Sequence, residues 1–358
     1  MNFASDNGAG VAPAILEAIV QSSRVNAPAY GTDDYTRRAE AMLSEVFERP
    51  VAAFLVATGT AANALALGAL TRPWEAVFCH EEAHIIEDEC GAPELFTAGA
   101  KLVGVAGEGG KVTPEGLRET LERFPRGQVK TTQPGALSLS QATEAGTIYR
   151  LNEIKALAGI AHEAGVAVHM DGARFANALV ALDASPADMT WRAGVDVLSL
   201  GATKNGGLAC EAVVFFDLDK AANFVFQRKR AGQTLSKGRF LGAQMEAFLS
   251  GGLWLDLARR ANASAARLAK GLVEAPGVRL VWPSEANEVF AVAPNELAAR
   301  WREAGAKFHP WSSRSIAPER GPREGETLIR LVASFETSKE EIEALLALAQ
   351  APYPRRNS

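Results

Sequence analysis

Between residues 51 and 216, short β-rich runs alternate with longer segments of helical period. That alternation restricts the chain to βα units packed around a mostly parallel sheet. The strand candidates are 51–56, 76–79, 101–105, 166–170 and 195–200, with 212–216 following. Helix candidates lie at 61–70, 114–124 and 151–164, and the first and last repeat apolar residues every three to four positions. Thr113 followed by Pro114 gives the second of them a capping residue and a first-turn proline. After residue 216 the texture changes. A long helical stretch, 238–273, ends at Pro276-Gly277, and beyond it strand candidates 278–281, 288–292 and 328–332 alternate with helix candidates 296–303 and 339–349. This second pattern is that of a small α+β unit. Segment 312–326, rich in Ser, Pro, Gly and charge, reads as a loop, and the tail around 354–356 as frayed.

At 358 residues and 47% hydrophobic, the chain has apolar material for a large core and length for about two domains. Its net charge of −5 offers no basic footprint for nucleic acid or an anionic membrane, which favours a small-molecule task. Cys79, Cys90 and Cys210 form no Cys-x-x-Cys pair, so neither a disulfide framework nor a cysteine zinc site is expected, and a reducing cytoplasm fits. The first residues lack the basic-then-apolar order of an export signal, and no run of about 18 apolar residues occurs, so export and membrane spanning are not expected.

His80-Glu81-Glu82-Ala83-His84 matches the H-E-x-x-H pattern of zinc peptidases, which needs both imidazoles on one helical face. Here the segment follows a strand candidate, and a third ligand is hard to supply, because Glu108 lies in a glycine loop and no third His follows nearby. The zinc reading stands as the competing enzyme class, and no metal is expected. Thr58-Gly59-Thr60-Ala61-Ala62-Asn63 joins a strand candidate to a helix candidate. Free N–H groups and hydroxyls at a helix N-terminus suit a phosphate, and they equally suit simple N-capping. No Gly-Lys-Ser/Thr follows, and no G-x-G-x-x-G follows a strand.

A pair of strand ends says more. The 166–170 run leads into Asp171-Gly172-Ala173-Arg174, and the 195–200 run into Gly201-Ala202-Thr203-Lys204-Asn205-Gly206. Open α/β sheets bind ligands at the carboxyl ends of their strands. Such a pair suits pyridoxal phosphate, with Lys204 forming the Schiff base and Asp171 keeping the pyridine nitrogen protonated. A structural Asp–Lys ion pair at the crevice rim fits the spacing as well.

These segments, with Ala83-His84-Ile85 and Tyr30-Gly31-Thr32-Asp33, stand in the order and rough spacing of the L-threonine aldolases, which the chain resembles from about residue 3 to 348. It resembles more distantly the wider β-eliminating lyase group of fold type I pyridoxal-phosphate enzymes. The resemblance implies a large, mostly parallel seven-stranded domain (26–249), a small α+β C-terminal domain (250–358) and an N-terminal segment (1–25) packed with the latter. It also implies a cytoplasmic homotetramer with sites at dimer interfaces. Lys204 and Asp171 keep the roles above, Gly59 and Thr60 hold the phosphate, and His84 stacks on the cofactor ring. Arg330 with Ser5 grips the substrate carboxylate, Arg174 is an active-site arginine for cofactor and substrate, and Tyr30 and Gln141 join the substrate contacts. Lys229 serves a neighbouring subunit's phosphate.

The departures concern substrate. Better-known members carry Glu-Asn-Thr-His where this chain has Gln141-Ala142-Thr143-Glu144, so the histidine beside the substrate hydroxyl is missing from its usual place. The base is then His84, or a water it holds, with Glu144 as a substitute. The implied reaction is retro-aldol cleavage of L-threonine, L-allo-threonine and other β-hydroxy-α-amino acids to glycine and an aldehyde. A phenylserine aldolase is the nearest alternative and a β-eliminating lyase the next.

Overall fold

The computed structural model describes residues 1–311 and 314–350, so the expected tail and two residues of the expected 312–326 loop lie outside the described residues. Seven strands build the main sheet: β1 (Ala52–Val56), β2 (Glu75–His80), β3 (Lys101–Val105), β4 (Gln133–Ser140), β5 (Ala167–Gly172), β6 (Val197–Gly201) and β7 (Glu211–Phe215). Their order is β1-β7-β6-β5-β4-β2-β3. Only β7 runs antiparallel to its neighbours. Successive residues of a strand face opposite sides, and both sides are buried. Val197 of β6 packs with Ala62 and Leu65 of the helix Gly59–Leu70, whereas Leu198 joins the larger core with Phe47 and Phe175.

Six of these strands answer to the expected runs, with ends shifted by one or two residues. The seventh, β4, was not expected, although it lies in mid-sheet between β2 and β5. Pro134 and Gly135 mask it, since both weaken a strand pattern. The sheet accommodates Pro134 where the β2–β4 register shifts, between Ala76 and Val77. Helices Pro13–Ser23 and Asp34–Val46 also precede the sheet, where no helix was expected.

The long helical stretch is two helices, Arg239–Leu249 and Leu253–Val273. The break falls at Gly251 and Gly252, whose φ values of 60° and 75° lie where a side chain would be strained. The second helix joins the two cores: Trp254 and Leu257 belong to the large one, Leu268 and Leu272 to the small one. The small sheet is antiparallel, with β8 (Arg279–Leu280), β9 (Glu288–Pro294), β10 (His309–Pro310) and β11 (Glu326–Val332) in the order β10-β11-β9-β8. Phe3 is buried in its core, and the Phe3 backbone is tied to Lys307 and Val332 by hydrogen bonds of 2.8 and 2.9 Å. No helix among the described residues is long and apolar enough to cross a membrane.

Candidate active site

The site lies at the carboxyl ends of β1, β5 and β6. After β1, Thr58 caps the helix Gly59–Leu70 by accepting the Ala61 N–H at 3.1 Å, so the capping reading holds for Thr58 itself. Beside it Gly59 faces open space, because a Cβ there would meet nothing within 4 Å. At the end of β5, Asp171 is 7% exposed. One of its oxygens accepts the Ala173 N–H at 2.9 Å and the other the Asn63 amide at 2.7 Å. Strand ends β5 and β6 pack tightly because both turn on glycine: a Cβ on Gly172 would stand 2.7 Å from the Ser199 carbonyl oxygen, and one on Gly201 2.8 Å from that of Ala173. Lys204 follows in the turn Thr203–Asn205, closed by Gly206 at φ 97°. Among the described residues no carboxylate lies within 4 Å of the Lys204 amine. The ion-pair alternative therefore does not describe these two residues.

Lys204 and Asp171 line one chamber of about 400 Å³ with Gly59, Thr60, His84 and Glu211. Burial pushes the Glu211 pKa up to about 7, although its carboxylate accepts the Ala202 N–H at 2.8 Å. A second chamber of about 610 Å³ shares Asn7, His84, Glu144, Arg174 and Lys204 with the first and extends to Ser5, Trp311 and Arg330.

The outer chamber carries a charge network that the sequence reading did not contain. Arg174 donates from Nε and Nη2 to the two oxygens of Asp6, at 2.8 and 2.9 Å. Its fork, expected to meet a ligand, is thus engaged by the chain's own N-terminal segment. Burial works against the Asp6 charge, but Arg174 and Lys204 together hold its pKa below the usual value. Glu288 lies 3.5 Å from Arg174 and 3.9 Å from Arg330, with no hydrogen-bond partner on either oxygen. It opens β9 opposite Val332, so strand alternation puts it on the same face as Arg330. Burial pushes its carboxyl up while the two arginines pull it back. The Arg330 guanidinium sits 4.4 Å from the Trp311 ring centre, and its Nε has no partner.

His84 borders both chambers. Its backbone N–H donates to Glu144 at 2.8 Å and its Nδ1 meets Glu89 at 2.9 Å. That hydrogen bond to Glu89 raises the His84 pKa, against the effect of burial. Glu144 also accepts the Ser140 hydroxyl at 2.7 Å, and burial raises its pKa. The zinc pattern dissolves here. His80 ends β2, where its Nδ1 accepts the Glu82 N–H at 3.1 Å and its Nε2 donates to the Gly107 carbonyl at 2.9 Å. His84 begins a separate helical turn, His84–Glu87, so the two rings do not share a helix face.

Gln141 must be corrected. Ser140 faces the chamber, and by alternation the next side chain turns into the core, where the Gln141 amide exchanges hydrogen bonds of 2.9 and 3.0 Å with the Tyr149 backbone. Tyr30 and Lys229 line neither chamber of their own chain; they lie together elsewhere, with the Lys229 amine 4.8 Å from the Tyr30 ring centre. The residues that sequence reasoning missed are chiefly Asp6, Asn63, Glu89, Glu211 and Glu288. Asn63 alone carried a local signal, being a polar residue in the otherwise apolar run 61–70.

A lysine free of carboxylates, a buried aspartate at a nearby strand end and an open glycine at a helix N-terminus match the aldehyde, ring nitrogen and phosphate of pyridoxal phosphate. On this sheet they define a fold type I pyridoxal-phosphate enzyme. Comparison with known proteins narrows the class. The sequence model of the β-eliminating lyase family matches residues 2–295. The low-specificity L-threonine aldolase of Pseudomonas aeruginosa is 40% identical over 343 residues, 96% of this chain and 95% of the relative. That of a Pseudomonas species is 39% identical, covering 96% of each. The solved threonine aldolase of Leishmania major superposes with a TM-score of 0.89 at 28% identity, over 97% of this chain and 98% of the other. A serine palmitoyltransferase from Sphingomonas wittichii, at 16% identity and a TM-score of 0.69, shares the fold. The chain belongs to the β-eliminating lyase family and, within it, to the threonine aldolases.

Proposed function

We propose that this enzyme cleaves L-threonine, L-allo-threonine and related β-hydroxy-α-amino acids to glycine and an aldehyde. The observation that carries this reading is the junction of two chambers: an inner one where Lys204 and Asp171 stand unpaired with each other, and an outer one reaching Arg330 and Ser5. A cofactor phosphate and a substrate carboxylate are two anions, and they need separate sites a few ångströms apart.

When bound, pyridoxal phosphate supplies an electron sink for the pair released by the Cα–Cβ bond. Lys204 provides the amine that holds the cofactor, and Asp171 the carboxylate that faces its ring nitrogen. Gly59 and Thr60 receive the phosphate at the positive end of the helix Gly59–Leu70. Arg330 and Ser5 grip the α-carboxylate. A guanidinium fork would hold a planar carboxylate in one orientation and so fix the orientation of the bond to be broken. Arg174, engaged by Asp6, stiffens the wall beside it. His84 flanks the ring and removes the β-hydroxyl proton. Glu144 is the alternative base, but its Oε1 is already engaged by the His84 backbone N–H and the Ser140 hydroxyl.

Tyr30 and Lys229, outside their own chain's chambers, serve the partner's site across a dimer interface within a homotetramer. The three free cysteines suit the cytoplasm. Residues 26–249 form the cofactor domain and 250–358 the small domain, with 1–25 packed against the latter; the helix break at Gly251–Gly252 and the burial of Phe3 support this division.

The test is a substrate panel of L-threonine, L-allo-threonine, phenylserine and D-threonine with glycine and aldehyde both quantified. Equal yields of glycine and aldehyde from the L-substrates are expected. Release of ammonia and a keto acid instead would replace the aldolase by a β-eliminating lyase.

A further inference from the structure

The helix Gly59–Leu70 is almost wholly apolar, yet Asn63 within it is 3% exposed and its amide donates in two directions, to Asp171 at 2.7 Å and to Glu89 at 2.9 Å. The same Glu89 oxygen takes His84 Nδ1 at 2.9 Å. The Glu89 side chain is fully buried, and its second oxygen, like the Asn63 carbonyl oxygen, has no hydrogen-bond partner among the described residues. A continuous chain, Asp171–Asn63–Glu89–His84, thus joins two groups that line the inner chamber. Buried polar groups in such a chain are costly unless every donor is used, and here the one amide spends both its N–H bonds on carboxylates.

We propose that Glu89 and Asn63 are positioning residues of this site: Glu89 holds His84 with Nδ1–H turned inward, so that Nε2 is the atom that takes the proton, and Asn63 couples that pair to Asp171. The inference rests on the aldolase reading and assigns the atom at which its base works. Nε2 has no hydrogen-bond partner among the described residues. When the β-hydroxyl O–H bond breaks, the Nε2–H bond forms, and the resulting imidazolium is balanced by Glu89. Asn63 matters because burial disfavours the Glu89 charge, and the Asn63 and His84 hydrogen bonds are what oppose it.

Other charges also face His84. Glu144, in the loop after β4, accepts its backbone N–H, Asp171 of β5 adds to its basicity, and Lys204 after β6 subtracts from it. Across the outer chamber stand Arg174 and Arg330, with Asp88, Glu87 and Glu82 on the His84 side. None of these touches the imidazole nitrogens at hydrogen-bond distance, so Glu89 is the group whose removal should be felt.

The experiment uses the cofactor-free full chain, with histidine ring nitrogens followed by NMR through a pH titration and His84→Asn used to assign the His84 signals. Glu89→Gln keeps the shape and removes the charge, so the His84 midpoint should fall by about half a unit or more. Asn63→Ser should move it in the same direction by less, and should weaken pyridoxal-phosphate binding, read from visible absorbance, by about tenfold. In the loaded enzyme the acid limb of kcat/KM for Glu89→Gln should shift to lower pH by the NMR amount, with kcat falling more than KM changes. An unchanged His84 midpoint and ring tautomer in Glu89→Gln would overturn the role of Glu89, and unchanged cofactor affinity in Asn63→Ser that of Asn63. If the NMR shift is found and no aldehyde is formed, the aldolase reading fails while the positioning chain stands.

Discussion

The two ends of the seven-stranded sheet both carry a hollow lined with charged residues, and the hydrogen bonds in them differ. At the amino end, just before β6, Asp196 accepts the Val168 N–H at 2.7 Å, meets His162 at 3.1 Å and takes Lys220 at 3.0 Å. Lys220 also reaches Asp217 at 2.7 Å, so the carboxylates around this hollow of about 420 Å³ are paired, while Arg49 lies over the Trp191 ring at 4.7 Å. At the carboxyl end, among the described residues, the Lys204 amine has no carboxylate within 4 Å, while Glu288, Asn63, Glu89, Glu144 and Arg330 each keep a buried polar atom without a hydrogen bond. Such atoms cost free energy unless something else meets them. Charge content therefore does not separate a functional crevice from a structural one; the state of its hydrogen bonds does.

Exchanging the roles of the two ends is the way to break this comparison. Lys204→Ala should lower kcat by about a thousandfold or more and abolish the borohydride-reducible visible band, whereas Lys220→Ala at the other end should leave both within about twofold. If Lys220→Ala proved as damaging, the contrast would collapse. Arg330→Lys keeps the charge and loses the fork, so KM for the amino acid should rise about tenfold or more with cofactor affinity unchanged, as steady-state kinetics and absorbance titration would report. Asp196→Asn should do the opposite: about 1 kcal/mol of unfolding free energy lost in urea titration, and kcat/KM preserved.

A last test sharpens the comparison through pH. Burial raises the Glu211 pKa to about 7 from an unfolded value of 4.5, so the folded chain binds more protons than the unfolded one between these values. Its contribution to stability therefore declines as pH rises through that window, and Glu211→Gln should flatten the decline in the cofactor-free protein. Urea midpoints at about pH 5 and pH 8 would measure it; equal slopes for both proteins would show that Glu211 ionises freely.

Much of the layered fold was legible because its strands are buried on both faces and read as apolar runs. β4 was not, because Pro134 and Gly135 obscure a strand whose place is secured by neighbours on either side. At the site, Gly59, Thr60, Asp171 and Lys204 drew attention because they sit at element ends, where local sequence patterns change, whereas His84 entered through the family resemblance. Gln141 was misread by one step of strand alternation: Ser140 faces the chamber and Gln141 the core. Arg174 lines both chambers, but its partner Asp6, 168 positions away, carries no signal that short-range spacing can register.

By itself the sequence determined the class of fold and the ends of strands where chemistry gathers, since each depends on residues a few positions apart; spacing left Asp171 and Lys204 open between a cofactor pair and an ion pair, and the family resemblance pointed to pyridoxal phosphate. Only the tertiary structure decided that Arg174 is engaged by Asp6, that Arg330 lies against Trp311 near Glu288, and that Asn63 and Glu89 link His84 to Asp171. Those outcomes rest on burial and on pairing between distant segments. Whether a charged group finds a partner is a property of the packed chain, and no local pattern contains it.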